Sequence, residues 1–251
     1  MREGDINRVL VDIYSGKIKI NNLPKKVYEK TAKKLVQGMN VGFAFSDYVS
    51  DELKRELTQN IYIFSGAKTY TQVKEISSLI LDGDKLRTFS EFKKVARERF
   101  DTYNVDYLEA EYNTAVGQAQ TAVKWEDIES SKELFPYLKR SAVMDANTSE
   151  ECRILNDIIA PVDDTFWKSR SPLTHFRCRC ILEKIDKYED VKLSSRTKID
   201  SAIEQTDHIN PVFKGNPGID KVIFNKEHPY FDVAPKDKEL ARKNFNLPIP
   251  K

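Results

Sequence analysis

The chain has 251 residues, with 41 basic against 39 acidic side chains and a formal net charge of +2. So even a balance lacks the electrostatic footprint of a dedicated duplex-binding protein, and no stretch approaches the ~20 uninterrupted apolar residues of a membrane span. The length gives room for one large domain or two small ones that fold without covalent staples. Charges in the N-terminal MREGDINRVLVD fall where a signal peptide needs its apolar core, and three cysteines make an odd count. Together these argue against secretion and against a disulfide framework, so a reducing cytoplasm is the expected folding compartment.

In chain order, residues 1–22 hold a short mixed segment, IKINN, that ends in turn-formers. Asn22 is placed to cap a helix with Pro24 in its first turn, where a missing N–H is harmless. Tyr28, Ala32, Leu35, Val36 and Met39 then recur at helical spacing. Lys25, Lys26, Lys30, Lys33 and Lys34 fall on the other side, and residues 1–40 carry nine basic against four acidic residues. This lysine face is a candidate contact for nucleic acid or an acidic partner, the alternative being an ordinary solvated helix face.

A second helix is expected from Asp51, with Leu53, Leu57, Ile61 and Phe64 on one stripe and Gly66 as its stop. A third runs from about Thr71 to Leu81, before the LDGDK turn. Thr88-Phe89-Ser90-Glu91 spells a capping box for a fourth, which carries Phe92, Val95, Ala96 and Phe100. From Val105 to Trp125, Leu108, Tyr112, Ala115, Ala119, Ala122 and Val123 share a face whose alanines would admit another helix at close range. Glu109 and Glu111 lie on different sides of that helix and make a poor acid/base pair.

After Pro136 the period shortens to a β-like pattern through Leu138 to Met144. Thr148-Ser149-Glu150-Glu151 reads as a second capping box, placing Cys152 early in a short helix that ends near Ile158. A polar loop spans Ala160 to Thr174, and Arg177 to Ile185 alternates as a strand. Beyond Lys187 the chain is polar, with a short helix at Lys198 to Gln205 and an Asn-, Pro- and Gly-rich remainder in which Lys221 to Phe224 is the better strand candidate. His208 and His228 have no ligand-spaced company and read as surface or packing residues. The expected fold class is α+β: a helical docking region over 1–104, a small Cys/His-containing α+β module over 105–187, and an extended C-terminal arm over 188–251 suited to wrapping a partner.

All three cysteines fall in the second of these regions. Cys152, Cys178 and Cys180 with His175 form a Cys3His set, a full complement for a closed structural zinc site. His175-x2-Cys178 has knuckle spacing, whereas Cys178-x-Cys180 would converge if both sat on one face of a strand. The alternative is that each cysteine is simply a small buried hydrophobe.

The same region resembles the phage Mu protein F family of minor head (head morphogenesis) proteins of tailed phages and prophages. The residues that carry the resemblance are Asp145, Cys152, the run Pro161-Val162-Asp163-Asp164-Thr165-Phe166-Trp167, and Pro172, His175, Cys178, Arg179 and Cys180. The last group matches a P-P-x-H-x-x-C-R-C pattern, with Leu173 in place of the second proline. NIYIFSGAKTY (Asn60 to Tyr70) and YLEAEYNTAVGQAQTAVKW (Tyr107 to Trp125) resemble the family's helical lead-in. The resemblance implies a non-enzymatic virion protein, in the capsid interior or at the portal vertex and in the host cytoplasm during assembly. Its implied partners are the portal protein, other head proteins and packaged DNA, with no membrane. Two other readings stay open. One is a DNA-binding module using the lysine face. The other is catalysis, either by a metal-dependent hydrolase of toxin-related type in which Asp145 or a nearby carboxylate activates water at a zinc with an open position, or by Cys178 or Cys152 as a nucleophile with His175 as base. No Gly-rich phosphate loop, H-E-x-x-H or G-x-S-x-G supports catalysis.

Overall fold

Ile6, Val9, Leu10 and Ile13 recur at the spacing of one helical face, and all four are buried on α1, Glu3–Tyr14. In the computed structural model, which describes residues 2–44 and 46–250, this helix precedes the IKINN segment, of which only an isolated Lys19–Asn22 bridge forms. There follow α2 (Lys25–Phe43), α3 (Asp51–Ser78), the hairpin β1 (Leu81–Asp82) and β2 (Lys85–Leu86), and α4 (Phe89–Asp101). A π-helical turn at Thr102–Asp106 leads into α5 (Tyr107–Ser131). Next come β3 (Tyr137–Ser141), α6 (Glu150–Ile154), β4 (Ile159–Pro161), α7 (Phe166–Arg170), β5 (Ile181–Ile185) and α8 (Arg196–Gln205). The chain ends in 3-10 turns around two short helices, α9 (Pro217–Asp220) and α10 (Lys238–Arg242). The class is α+β, with the helices leading and the sheet confined to the middle of the chain.

Two compact units are formed, and neither is continuous in sequence. Unit 1 takes residues 1–37, 58–112 and 228–251, and unit 2 takes 38–57 and 113–227. In unit 1, Ile6, Leu10 and Ile13 of α1 join Val27, Ile76, Phe92, Ala96 and Phe100 in one buried cluster. The Thr88–Glu91 capping box forms as expected: the Thr88 hydroxyl accepts from Glu91 N, and the Glu91 carboxylate accepts from Thr88 N. Pro24 precedes α2, and Asn22 does not cap it. Its side-chain amide instead donates to the Lys17 carbonyl at 3.1 Å.

The break expected at Gly66 does not occur, and α3 runs through it for 28 residues. A Cβ at Gly66 would stand 2.2 Å from Asn244 Oδ1. The glycine therefore admits the C-terminal segment to the helix surface rather than ending the helix. That segment is held along α3. Phe245 stacks on Tyr70 with ring centroids 4.8 Å apart, Tyr70 donates to Asp237 at 2.9 Å, and His228 meets Phe64 edge-on at 4.8 Å. Tyr28, its hydroxyl pushed up to about 12 by burial, donates to the Pro248 carbonyl.

Unit 2 is built on a three-stranded antiparallel sheet in the order β4-β3-β5, with Leu138 opposite Ala160 and Lys184, and Arg140 opposite Leu182. Side chains alternate along a strand, so Leu138 and Arg140 share the inward face. Leu138, Ala160 and Leu182 pack with Trp125, Ile128, Leu155, Phe166, Trp167 and Phe213. Trp167 donates its indole N–H to the Pro161 carbonyl at 2.8 Å, so the acidic Pro161–Trp167 run closes on its own ring. The alanine face of α5 does admit a close neighbour: a Cβ on Gly42 of α2 would lie 2.7 Å from Ala119 Cβ.

Three boundaries in unit 2 differ from the sequence expectation. The helix carrying Cys152 ends at Ile154, because Ile159–Pro161 pairs with β3. Its cap is Ser149, whose hydroxyl accepts from Cys152 N, rather than Thr148. The strand expected from Arg177 begins only at Ile181, and Lys221 to Phe224 forms no strand; Ile223 and Phe224 are buried instead in irregular chain.

Candidate metal centre

Cys152, Cys178 and Cys180 come from the first turn of α6 and from the loop ahead of β5, and their sulfurs all lie within 4.8 Å of one another. Cys152 Sγ is 3.8 Å from Cys178 Sγ and 3.2 Å from Cys180 Sγ, and all three are free cysteines. A tetrahedral ion with metal–sulfur bonds of about 2.3 Å sets its sulfurs about 3.8 Å apart, so these three can share one ion with little backbone movement. His175, the expected fourth ligand, stands against Cys152, with Nε2 3.1 Å from its Sγ, but does not lie within 4.8 Å of all three sulfurs. Its Nδ1 lies 2.8 Å from the Phe176 carbonyl. An Nδ1–H donated there leaves the Nε2 lone pair on the side of Cys152 Sγ, the tautomer a metal ligand needs.

The Cys178-x-Cys180 pair converges through a turn and not along a strand. Arg177 takes a left-handed conformation with φ 62°, and Leu173 does so with φ 71°. Proline is fixed near −65°, so the Leu173 departure from the two-proline pattern belongs to a turn that a second proline could not make. Arg179, between the two cysteines, donates through both terminal nitrogens to the two Asp145 oxygens at 2.7 Å. That bidentate clamp ties the loop after β3 to the cysteine turn and holds the Asp145 carboxyl well below the usual carboxylate range. Both Asp145 oxygens are thus engaged in holding the cysteine turn.

S–H donation from Cys152 and Cys180 holds the Cys178 thiol well below its ordinary range. Cys180, a donor in the same contacts, is pushed up. Sequence reasoning passed over Thr174, which touches this cluster, and Arg140, which donates to Thr174. Thr174 is buried, with its hydroxyl 4.0 Å from both Cys152 Sγ and Cys178 Sγ, and it accepts from Arg140 Nη2 at 3.2 Å. The signal for Arg140 was available: it holds an inward position in the YLKRS strand.

With this geometry in view, comparison with known proteins is informative. The family described as Phage Mu protein F like protein matches residues 30–183. The chain belongs to that family. All four Cys/His positions fall inside the matched region, while α8 and the C-terminal segment fall outside it. A protein of Escherichia phage Mu, protein F, named for a proposed role in capsid assembly, is 32% identical over 69 residues. That match spans 28% of this chain and 16% of the Mu protein's length. No solved structure matches. Among the described residues, no helix is long and apolar enough to cross a membrane.

The lysine face lies in unit 1 and apart from the cysteine cluster in sequence. Lys25, Lys26, Lys30, Lys33 and Lys34 are all exposed on α2, opposite buried Val27, Tyr28, Ala32, Leu35 and Met39. Lys26 pairs with Asp5 at 2.6 Å, Lys25 approaches Glu29 at 3.7 Å, and Lys34 sits over the Tyr112 ring at 4.3 Å.

Proposed function

We propose that this chain is a minor head protein of a tailed phage or prophage that acts in head morphogenesis. The family match over residues 30–183 carries the reading, and the name of the Mu relative supports it. On this reading the Cys/His module is a non-catalytic building block locked by a structural zinc, held by Cys152, His175, Cys178 and Cys180. The metal would supply only a cross-link among α6, the loop and β5, coupling its binding energy to folding. The helical region over residues 1–104 docks on the portal protein inside the procapsid, beside the packaged DNA and other head proteins. Mass spectrometry of purified procapsids and virions of the producing phage tests this directly: absence from both sinks it. Elemental analysis of the same particles tests the zinc. Unchanged portal co-purification after deletion of residues 1–45 would remove the docking assignment.

The exposed lysine face favours a second reading, direct contact with DNA through Lys25, Lys26, Lys30, Lys33 and Lys34. A salt-dependent shift of duplex DNA, abolished by charge reversal at Lys25, Lys30 and Lys34, is its expected signature.

A further inference from the structure

Arg140 is fully buried, at 0% exposure, on the inward face of β3. Its Nη1 donates to the Arg170 carbonyl at 2.6 Å, its Nη2 donates to Thr174 Oγ1, and its Nε has no partner. Among the described residues no carboxylate lies within 4.0 Å of it, whereas neighbouring Arg170 has Asp207 at 3.9 Å. A guanidinium taken out of water without a counter-charge is heavily penalised, and thiolates in the sulfur cluster beyond Thr174 would supply one. Thr174 Oγ1 connects the two, accepting from Arg140 while standing 4.0 Å from two of the sulfurs.

We propose that Arg140 is the built-in counter-cation of the Cys152/His175/Cys178/Cys180 centre, acting through Thr174 as a positioning residue. Three thiolates and a neutral imidazole around a divalent ion leave one net negative charge, which one buried guanidinium cancels. The inference rests on the structural-zinc reading. It adds that the centre is charge-balanced from within the sheet, so that loss of the Arg140 charge weakens the metal even though Arg140 is not a ligand.

The test is zinc affinity of the full chain, by competition with a chromophoric chelator, for wild type, Arg140→Met and Arg140→Lys. Methionine keeps most of the length and removes the charge; lysine keeps the charge and loses the fork. Arg140→Met is expected to bind zinc about 10–100-fold more weakly, as replacement of outer-shell partners commonly does, and Arg140→Lys to recover most of that loss. The rise in melting temperature on adding zinc, taken between apo and loaded forms of the same variant, is expected to shrink in Arg140→Met. A purely packing role would destabilise both forms and leave that difference unchanged. Equal affinity in Arg140→Met and wild type, or affinity in Arg140→Lys as weak as in Arg140→Met, overturns the proposal. If Arg140→Met gives no folded protein, Arg140→Lys decides: near-wild-type affinity supports the counter-charge, and a loss of about tenfold or more refutes it. A wild-type chain that takes up no zinc removes the metal reading and this inference together, an outcome distinct from zinc uptake indifferent to Arg140.

Discussion

Each unit buries a positive charge, and the two do so by different means. In unit 1 Lys68, 1% exposed at its side chain, meets Glu111, 7% exposed, at 2.5 Å, and Tyr230 hydrogen-bonds the same carboxylate. Burial pushes Lys68 down and Glu111 up, and in both it outweighs the attraction of the partner. The pair is therefore a cost that the chain itself keeps bearable by supplying both halves. In unit 2 Arg140 donates to Thr174, whose hydroxyl stands 4.0 Å from two sulfurs, rather than to a carboxylate, and three thiols close together cannot all ionise without a cation among them. Unit 1 pairs its buried charge from its own residues, whereas on the proposed zinc reading unit 2 balances its charge with an ion, so the two should answer differently to the same perturbations.

The largest expected difference comes from removing metal. Chelation, or Cys152→Ser, is expected to lower the stability of unit 2 by at least about 4 kcal/mol, the value for a ligand held at a thousand times its dissociation constant. Hydrogen exchange then accelerates in β3, β4 and β5 while α1 and α4 stay protected. Equal loss of protection in both sets of elements would break the contrast between the units.

Next in size is the buried pair. Lys68→Met leaves Glu111 buried without its partner and is expected to cost about 3–5 kcal/mol in urea unfolding, with no change in zinc content. Lys68→Met with Glu111→Gln, which keeps an acceptor for Tyr230, should cost less than the single change. A double variant no better than the single one would mean that the pair is held by more than charge compensation.

Much of this was legible in the sequence, and the limits have physical causes. The helix faces, the Thr88 box and the β-like stretch after Pro136 rest on local spacing, which survives folding; of the Cys3His set the three cysteines meet, while His175 does not lie within 4.8 Å of all of them. The first helix was legible too, in Ile6, Val9, Leu10 and Ile13, but the charges among them were weighed instead against a signal peptide. Gly66 misled because a glycine that ends a helix and one that admits a neighbour look alike until the neighbour, Asn244, is known. Lys221 to Phe224 failed as a strand because propensity supplies no partner strand. Arg140 and the Lys68–Glu111 pair were out of reach as interactions, since their partners lie 34 and 43 residues away.

A smaller effect separates the units by pH. Burial, with Lys68 nearby, lowers His228 from its ordinary 6.5 to about 4. Above pH 6.5 it is neutral folded and unfolded, so it contributes nothing to the pH dependence there. As pH falls from about 6.5 to about 4 the unfolded chain takes up the proton first, and unit 1 loses about 3 kcal/mol, roughly 1.4 kcal/mol for each pH unit crossed. Glu111, raised by burial, acts in the opposite sense, so the useful quantity is the difference between wild type and His228→Asn. Asparagine can still accept from Tyr230 N, as His228 Nδ1 does at 3.3 Å. Identical acid profiles for the two proteins would show that His228 is free to protonate in place.

The smallest test uses the same chemistry once in each unit. Thr88 caps α4 and Ser149 caps α6, each hydroxyl accepting from the backbone N–H three residues on, at 3.3 and 3.4 Å. Replacing either by alanine removes one acceptor at a helix start, worth about 1 kcal/mol. In unit 1 the consequence ends there, because Glu91 N belongs to no site. In unit 2 the N–H is that of Cys152, and α6 is only five residues long, so the cap also fixes the direction in which a candidate ligand leaves the backbone. Thr88→Ala should therefore leave zinc affinity untouched, while Ser149→Ala weakens it as well as the fold. If both variants lose stability alike and neither alters zinc binding, the aim of Cys152 is set by the Asp145–Arg179 clamp and the packing around Thr174, and the cap is merely local.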